Sequence, residues 1–199
     1  MKIYLVRHGQ TLFNAKGRVQ GWCDSPLTKE GIQQAIAVSK SLQSIPFEYG
    51  YSSTSERAMD TLSYIIGQRD IPYTYLKGLK EMNFGSLEGD KEEEVFTDMS
   101  IYQKGFVEFG GETLQSSNKR FMDTLEDIAK KHDDNVLVVA HGGVIMGALM
   151  ILDEELVQIH LNTKGFIGNC SVTILEYENN EFKILKLADT SFRDRGLEL

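Results

Sequence analysis

Two short apolar runs, Ile3-Tyr4-Leu5-Val6 and Val136-Leu137-Val138-Val139-Ala140, break off within two residues into the same pair, at His8-Gly9 and at His141-Gly142. Neither run alternates with polar residues. Continuous β-branched and aliphatic stretches of four or five residues suit strands buried on both faces, which occur where helices cover both sides of a parallel sheet. In open sheets of that kind, ligands bind beyond the carboxyl ends of the strands, at the topological switch point. Two histidines at two such ends are therefore expected to face one crevice.

The rest of the chain supplies the elements such a sheet needs. Thr28 is placed to cap a helix, and Ile32, Ala35, Ile36, Val38, Ser39 and Leu42 recur at helical spacing to about Ser44. Glu48 to Ser53 reads as a second strand. Ser55 to Gly67 reads as a second helix with Ala58, Thr61, Leu62 and Ile65 inward, and Ile71 to Leu76 as a third strand. Leu79 to Gly111 is Glu-rich and weakly periodic, which predicts loop plus a short helix. Glu112 to Lys131 predicts a helix, Val136 to Ala140 a buried strand and Val144 to Leu152 a helix. Cys170 to Tyr177 and Phe182 to Leu187 flank Glu178-Asn179-Asn180-Glu181 as a β-hairpin at the sheet edge. The expected fold is α/β: a mainly parallel sheet with an antiparallel edge addition.

Composition narrows the function classes. The 199 residues are 41% hydrophobic and 25% charged with 3 Pro, which argues against disorder and supports one core. A net charge of -8 and a pI near 5.1 oppose nucleic-acid binding, which requires clustered Lys and Arg. The longest apolar runs fall short of a membrane span and no export segment is visible, so no membrane partner is expected and a cytoplasmic location is the simplest reading. Cys23 and Cys170 have neither metal-ligand nor redox spacing and are expected to be reduced. A homo-oligomer is neither required nor forbidden.

Arg7 precedes His8, and Arg57 opens the helix after the second strand, which brings two guanidinium groups to the same sheet edge. Arginine forks match phosphoryl oxygens. Ser53 and Thr54 could add helix N-terminal amides for an anion. The glycine after each histidine allows a tight turn and close approach of a ligand. His132 and His160 lack this setting and are read as surface or helix-end residues. Phe13, Trp22 and Phe84 are read as core packing, with walls for the organic part of a substrate as the other use. A metal held by His8, His141 and Glu81 fits no local ligand spacing.

The ordered landmarks resemble the histidine phosphatase superfamily, in its phosphoglycerate-mutase-like branch. They are Leu5-Val6-Arg7-His8-Gly9-Gln10-Thr11 with Asn14, Pro26-Leu27-Thr28-Lys29-Glu30-Gly31, Ser52-Ser53 with Arg57-Ala58 and Thr61, Glu81 with Phe84-Gly85 and Leu87-Glu88-Gly89, Gly110-Gly111-Glu112-Thr113 and Val138-Val139-Ala140-His141-Gly142-Gly143. The resemblance implies a three-layer α/β/α sandwich, one domain over residues 1–199 with a small insertion at about 88–112 near the active site. It implies a histidine acid-type phosphatase in which His8 is phosphorylated, Arg7, Arg57 and His141 surround the phosphoryl group, and Glu81 donates the proton. Asn14, Gln20, Gly21 and Gly142 are the implied substrate-binding positions. Two arginines and a protonated His141 neutralise the transferring group without metal, so no cofactor is called for, and His8 must be neutral to attack.

The partner is expected to be a small phosphorylated metabolite. Hydrolysis is favoured over mutation, because the segment from Leu87 to Gly111 carries Glu88, Asp90, Glu92, Glu93, Glu94, Asp98 and Glu108 against only Lys91 and Lys104, where a glycolytic mutase of this family has basic residues. A cofactor-dependent phosphoglycerate mutase is the runner-up, and a low-turnover phosphoprotein-binding module the third reading. Specificity is expected from Glu88 to Glu112 and from His160 to Asn169.

Overall fold

A computed structural model of the chain describes residues 1–98 and 100–198. One six-stranded sheet runs in the order β3-β2-β4-β1-β5-β6, formed by β1 (Lys2–Arg7), β2 (Tyr49–Ser53), β3 (Tyr73–Leu76), β4 (Val136–Ala140), β5 (Val172–Glu178) and β6 (Glu181–Asp189). The first four are mutually parallel; β5 pairs antiparallel with β1, and β6 with β5. The expected parallel sheet with an antiparallel edge is thus present, and the third strand is shorter than the sequence pattern suggested.

The central strands carry large side chains to both faces. Ile3, Leu5, Val136, Val138 and Ala140 pack toward α6 (Leu114–Ala129) and α7 (Gly142–Leu152), while Tyr4, Val6, Leu137 and Val139 pack toward α2 (Lys29–Ser41) and α3 (Glu56–Ile66). A period of two with both sets buried is the three-layer α/β/α arrangement. Each fully buried aliphatic side chain is worth roughly 1.5–3 kcal/mol by area. Thr28 caps α2 as expected, its hydroxyl accepting from Gly31 N at 3.0 Å.

Two of the longer helices, and the single-turn α1 (Leu12–Ala15), escape the sequence reading. Helix α8 (Glu154–Lys164) starts where the Asp153 side chain accepts from Leu156 N at 2.9 Å. Helix α9 (Ser191–Glu198) lies across α2, with Gly196 so close to Ala37 that a Cβ there would sit 1.8 Å from its carbonyl oxygen. His160, read as a surface or helix-end residue, is the latter: it lies in the last turns of α8 and is 9% exposed. His132 does follow a helix, but its ring is held between Glu48 at 2.6 Å and Tyr51 at 2.8 Å.

The segment after Glu81 holds two short helices, α4 (Glu92–Val95) and α5 (Ser100–Lys104), in place of one. They cover a small apolar cluster of Val19, Met82, Phe84 and Phe106 at the carboxyl edge of the sheet. The remaining short helix, α1 (Leu12–Ala15), is closed by a reciprocal cap between Thr11 and Asn14. No helix among the described residues is long and apolar enough to cross a membrane.

Candidate active site

The parallel pairing of β1 with β4 sets Arg7 opposite Ala140, so the next residues on both strands leave the sheet side by side. His8 N donates to Ala140 O at 3.0 Å. The two imidazoles end 5.3 Å apart between centroids at an interplanar angle of 61°, 4% and 0% exposed. Arg57 enters from the first turn of α3, after β2 on the other side of β4, and is also fully buried.

Hydrogen bonding decides the tautomer of His8. Its Nδ1 lies 2.8 Å from Gly9 O, which can only accept, and its Nε2 lies 3.3 Å from Arg57 Nε, which can only donate. The proton therefore sits on Nδ1 and the lone pair on Nε2. Burial, then the Arg57 and Arg7 charges, push the His8 pKa well below the ordinary histidine value. His8 is held as a neutral imidazole with one defined nucleophilic nitrogen.

The guanidinium of Arg57 is anchored by the loop before α2. Its Nη1 donates to Cys23 O at 3.0 Å and to Asp24 at 2.9 Å, and its Nη2 to Gly21 O at 2.8 Å. Asp24 also accepts from Glu56 N at the start of α3, and Ser55 N donates to Ser53 Oγ at 3.1 Å. The amides expected at Ser53 and Thr54 precede the helix, since Ser53 ends β2 and α3 is capped at Ser55; the amides of Ser55 and Glu56 at the helix start are taken by the protein's own side chains. Asp24 was absent from the sequence reading, because an acidic loop residue shows no period.

Arg7 donates Nη1 to Ile167 O and lies 5.8 Å from the Phe166 ring centre, but its buried Nε has no partner among the described residues. Neither ring nitrogen of His141 has one either. Three buried polar atoms left unsatisfied beside one nucleophilic nitrogen mark a place built for a ligand with acceptor atoms. Burial, Arg57, His8 and Arg7 press the His141 pKa well below the ordinary value, so in the free protein it is neutral like His8, and the protonated form expected around a phosphoryl group belongs to the occupied site. An anion between the rings is what would raise that pKa.

Glu81 is buried at the start of α7. Its Oε2 accepts from Gly143 N at 2.7 Å, and its Oε1 from Val144 N at 2.9 Å and Met82 N at 2.8 Å. Burial raises its pKa, against those amides and the Arg57 charge. Arg120 fixes the same backbone from behind, donating to Gly78 O and Lys80 O at 2.8 Å and to Glu81 O at 3.2 Å while pairing with Glu112 at 2.9 Å. Glu88 ties the two loops together by accepting from Trp22 N at 2.7 Å, from Cys23 N and from Phe84 N at 3.1 Å.

These groups surround a cavity of about 90 Å³ whose wall includes Arg7, His8, Asn14, Gln20, Glu81 and Gly142. Arg57 and His141 stand behind that wall, in contact with His8. Gly21 is not on it: its carbonyl holds Arg57, and a Cβ there would lie 2.4 Å from Met82 O, so it is a close-packing position rather than a ligand contact. Nor does Gly9 serve a ligand, since its missing Cβ admits Gly31 O at 2.5 Å. Phe84 is both core and wall, stacking edge-on against Phe106 at 4.8 Å. Trp22 is neither, for its Nε1 donates to Glu81 O at 2.9 Å and its ring carries Lys80 at 4.6 Å. Asn169 joins the site unforeseen as a contact, donating to His8 O at 3.0 Å and Asn14 Oδ1 at 3.2 Å.

The family description histidine phosphatase superfamily (branch 1) matches residues 3–190. The chain belongs to this superfamily. Among sequence relatives, the metal-independent phosphoserine phosphatase of Arabidopsis thaliana is 34% identical over 215 residues, covering 99% of this chain and 87% of that protein. Among solved structures, phosphoglycerate mutase from Bacillus anthracis str. Sterne superposes with a TM-score of 0.85 at 28% identity, covering 98% of this chain and 96% of the other. Phosphoserine phosphatase from Entamoeba histolytica, in complex with 3-phosphoglyceric acid, superposes with a TM-score of 0.80 at 27% identity, covering 96% and 98%. A solved structure described as a phosphoglycerate mutase and one described as a phosphoserine phosphatase thus share the architecture of this chain.

Proposed function

We propose that this histidine phosphatase superfamily member is a metal-independent phosphomonoester hydrolase of the histidine acid type, working through a phosphohistidine on His8. The observation that carries the reading is one buried lone pair, on His8 Nε2, in the same site as three unsatisfied buried nitrogens of Arg7 and His141. Such a set binds an anion and presents it to a nucleophile in one step.

The chemistry follows from the atoms. His8 Nε2 attacks phosphorus and the ester P–O bond breaks, with Arg7, Arg57 and His141 taking up charge on the equatorial oxygens. The carboxyl group of Glu81 gives its proton to the departing alkoxide. The resulting carboxylate then takes a proton from water, whose oxygen attacks phosphorus; the N–P bond breaks, and phosphate leaves with His8 neutral again. Asn14, Gln20 and Gly142 hold the ester from the cavity wall. Residues 1–199 act as one catalytic unit, with residues 88–112 as its substrate-facing insertion.

Hydrolysis rather than mutation is supported by Glu92, a carboxylate of that insertion on the cavity wall, which repels the second phosphate of a bisphosphorylated intermediate. The small cavity suits a compact ester, and the resemblance to phosphoserine phosphatases makes O-phosphoserine the first substrate to try. The test is steady-state release of phosphate from p-nitrophenyl phosphate and O-phosphoserine in the presence of chelator. Turnover is expected in wild type and is lost in His8→Ala; undiminished turnover in that variant removes the reading. Phosphoglycerate interconversion that depends on 2,3-bisphosphoglycerate and outruns hydrolysis would replace it with the mutase.

A further inference from the structure

The floor and the mouth of the cavity differ in charge. The floor presents Arg7, with Arg57 behind His8, to a phosphoryl group. The wall also carries the apolar side chains of Val19, Phe84, Phe96 and Phe166 and, besides Glu81, a second carboxyl group, that of Glu92, which is exposed at the mouth. The backbone of Glu92 is fixed by its N–H donating to Gly17 O at 2.8 Å. Its neighbours have their own partner, since Lys91 pairs with Glu93 at 3.5 Å and Glu94 at 3.0 Å on the outer side. The Glu92 side chain is exposed at the edge of the cavity, within the field of the Arg7 charge, and has no ion pair or hydrogen bond among the described residues.

An unpaired carboxylate at the mouth of an anion pocket works against every substrate that carries only negative charge. It favours one that brings a cation to that end. Resting on the reading of the cavity as a phosphomonoester site, we propose that Glu92 is the specificity-determining residue that binds a protonated amine on the carbon next to the esterified one. The preferred substrates are then zwitterionic esters of the phosphoserine and phosphoethanolamine kind. The same position explains how one fold can favour phosphoserine over 3-phosphoglycerate, since the two differ only in ammonium against hydroxyl at that carbon.

The experiment compares kcat/KM within two matched pairs: O-phosphoserine against 3-phosphoglycerate, and phosphoethanolamine against 2-hydroxyethyl phosphate. Wild type is expected to favour the amine in each pair by about 10- to 100-fold, the worth of one charge-assisted hydrogen bond. Glu92→Gln, an isosteric change, is expected to bring both ratios close to unity by losing activity on the amine member. Glu92→Lys is expected to invert them. Ratios near unity in wild type, or a Glu92→Gln effect equal on both members, would overturn the proposal, the second by showing that Glu92 acts through Arg7 or the phosphate. Turnover of p-nitrophenyl phosphate with none of the four esters accepted refutes this inference and leaves the phosphatase reading standing. Failure on p-nitrophenyl phosphate as well removes both.

Discussion

Replacing Gly143 by alanine adds one methyl group, which the structure places 2.7 Å from Glu81 Oε1 and 3.1 Å from its Cδ and Oε2. Ordinary contact begins near 3.4 Å, so the carboxylate must retreat by about 0.7 Å. That movement stretches the bonds from Gly143 N and Val144 N which aim the carboxyl group. A misplacement of this order in a general acid costs up to ~10²-fold in rate. The fold has no comparable reason to suffer: alanine in a helix is favoured over glycine by up to about 1 kcal/mol, offsetting part of the weakened amide bonds. The expected result for Gly143→Ala is a fall of about 30- to 100-fold in kcat/KM for O-phosphoserine, with Tm within about 4 °C of wild type. The effect on p-nitrophenyl phosphate should be much smaller, because nitrophenolate leaves as a stable anion and needs no proton. Equal losses on both esters at unchanged Tm, or no loss on either, would refute the assignment of Glu81 as proton donor.

Acid stability follows from the two buried histidines. Their folded-state pKa values lie below the unfolded value of 6.5, so the unfolded chain binds protons first: stability is complete above pH 6.5, declines as the pH drops below it, and stops declining below the folded-state values. The slope is at most about 1.4 kcal/mol per pH unit for each histidine. Glu81, raised in the fold, acts in the opposite sense, with stability lost as the pH rises from 4.5 through its folded value. Urea titrations should show a shallower acid decline in a His8→Asn, His141→Asn double variant; parallel curves would contradict the burial argument. Glu88→Gln leaves one acceptor oxygen for three backbone amides and loosens the loop that carries Gly21 O, Cys23 O and Asp24 to Arg57. It should cost about 1.5–3 kcal/mol in denaturant unfolding together with at least ~10-fold in kcat/KM, and a loss of stability without loss of activity would show that the loop does not position Arg57.

The parts legible in the sequence were those with a period or a repeated context. The paired strand-His-Gly segments pointed to two adjacent strand ends, and the Arg7 to Ala140 register is the geometric expression of that echo. Asp24 and Asn169 had no such signature, since their roles exist only once α3 and the residue 160–169 segment fold against the site. Helix α8 was announced by Asp153 ahead of Glu154 and Glu155, a cap with acidic residues in the first turn, but only Val157 and His160 on it are buried, too few for a periodic stripe. Helix α9 was hidden by Gly196, which reads as a breaker and is in fact the point of closest approach to α2. The neutral state of His141 in the free protein has no sequence signature, because protonation depends on neighbours that converge in space rather than in order along the chain.

The central claim is that a single nitrogen, His8 Nε2, carries the phosphoryl group. Mixing enzyme with labelled O-phosphoserine or p-nitrophenyl phosphate, quenching rapidly in alkali to preserve phosphoramidates, and mapping the product by mass spectrometry and nuclear magnetic resonance tests it directly. The geometry predicts a phosphohistidine at His8 substituted on Nε2, because Nδ1 is committed to Gly9 O. Phosphate on Nδ1, on another residue, or on none while turnover proceeds would contradict the account.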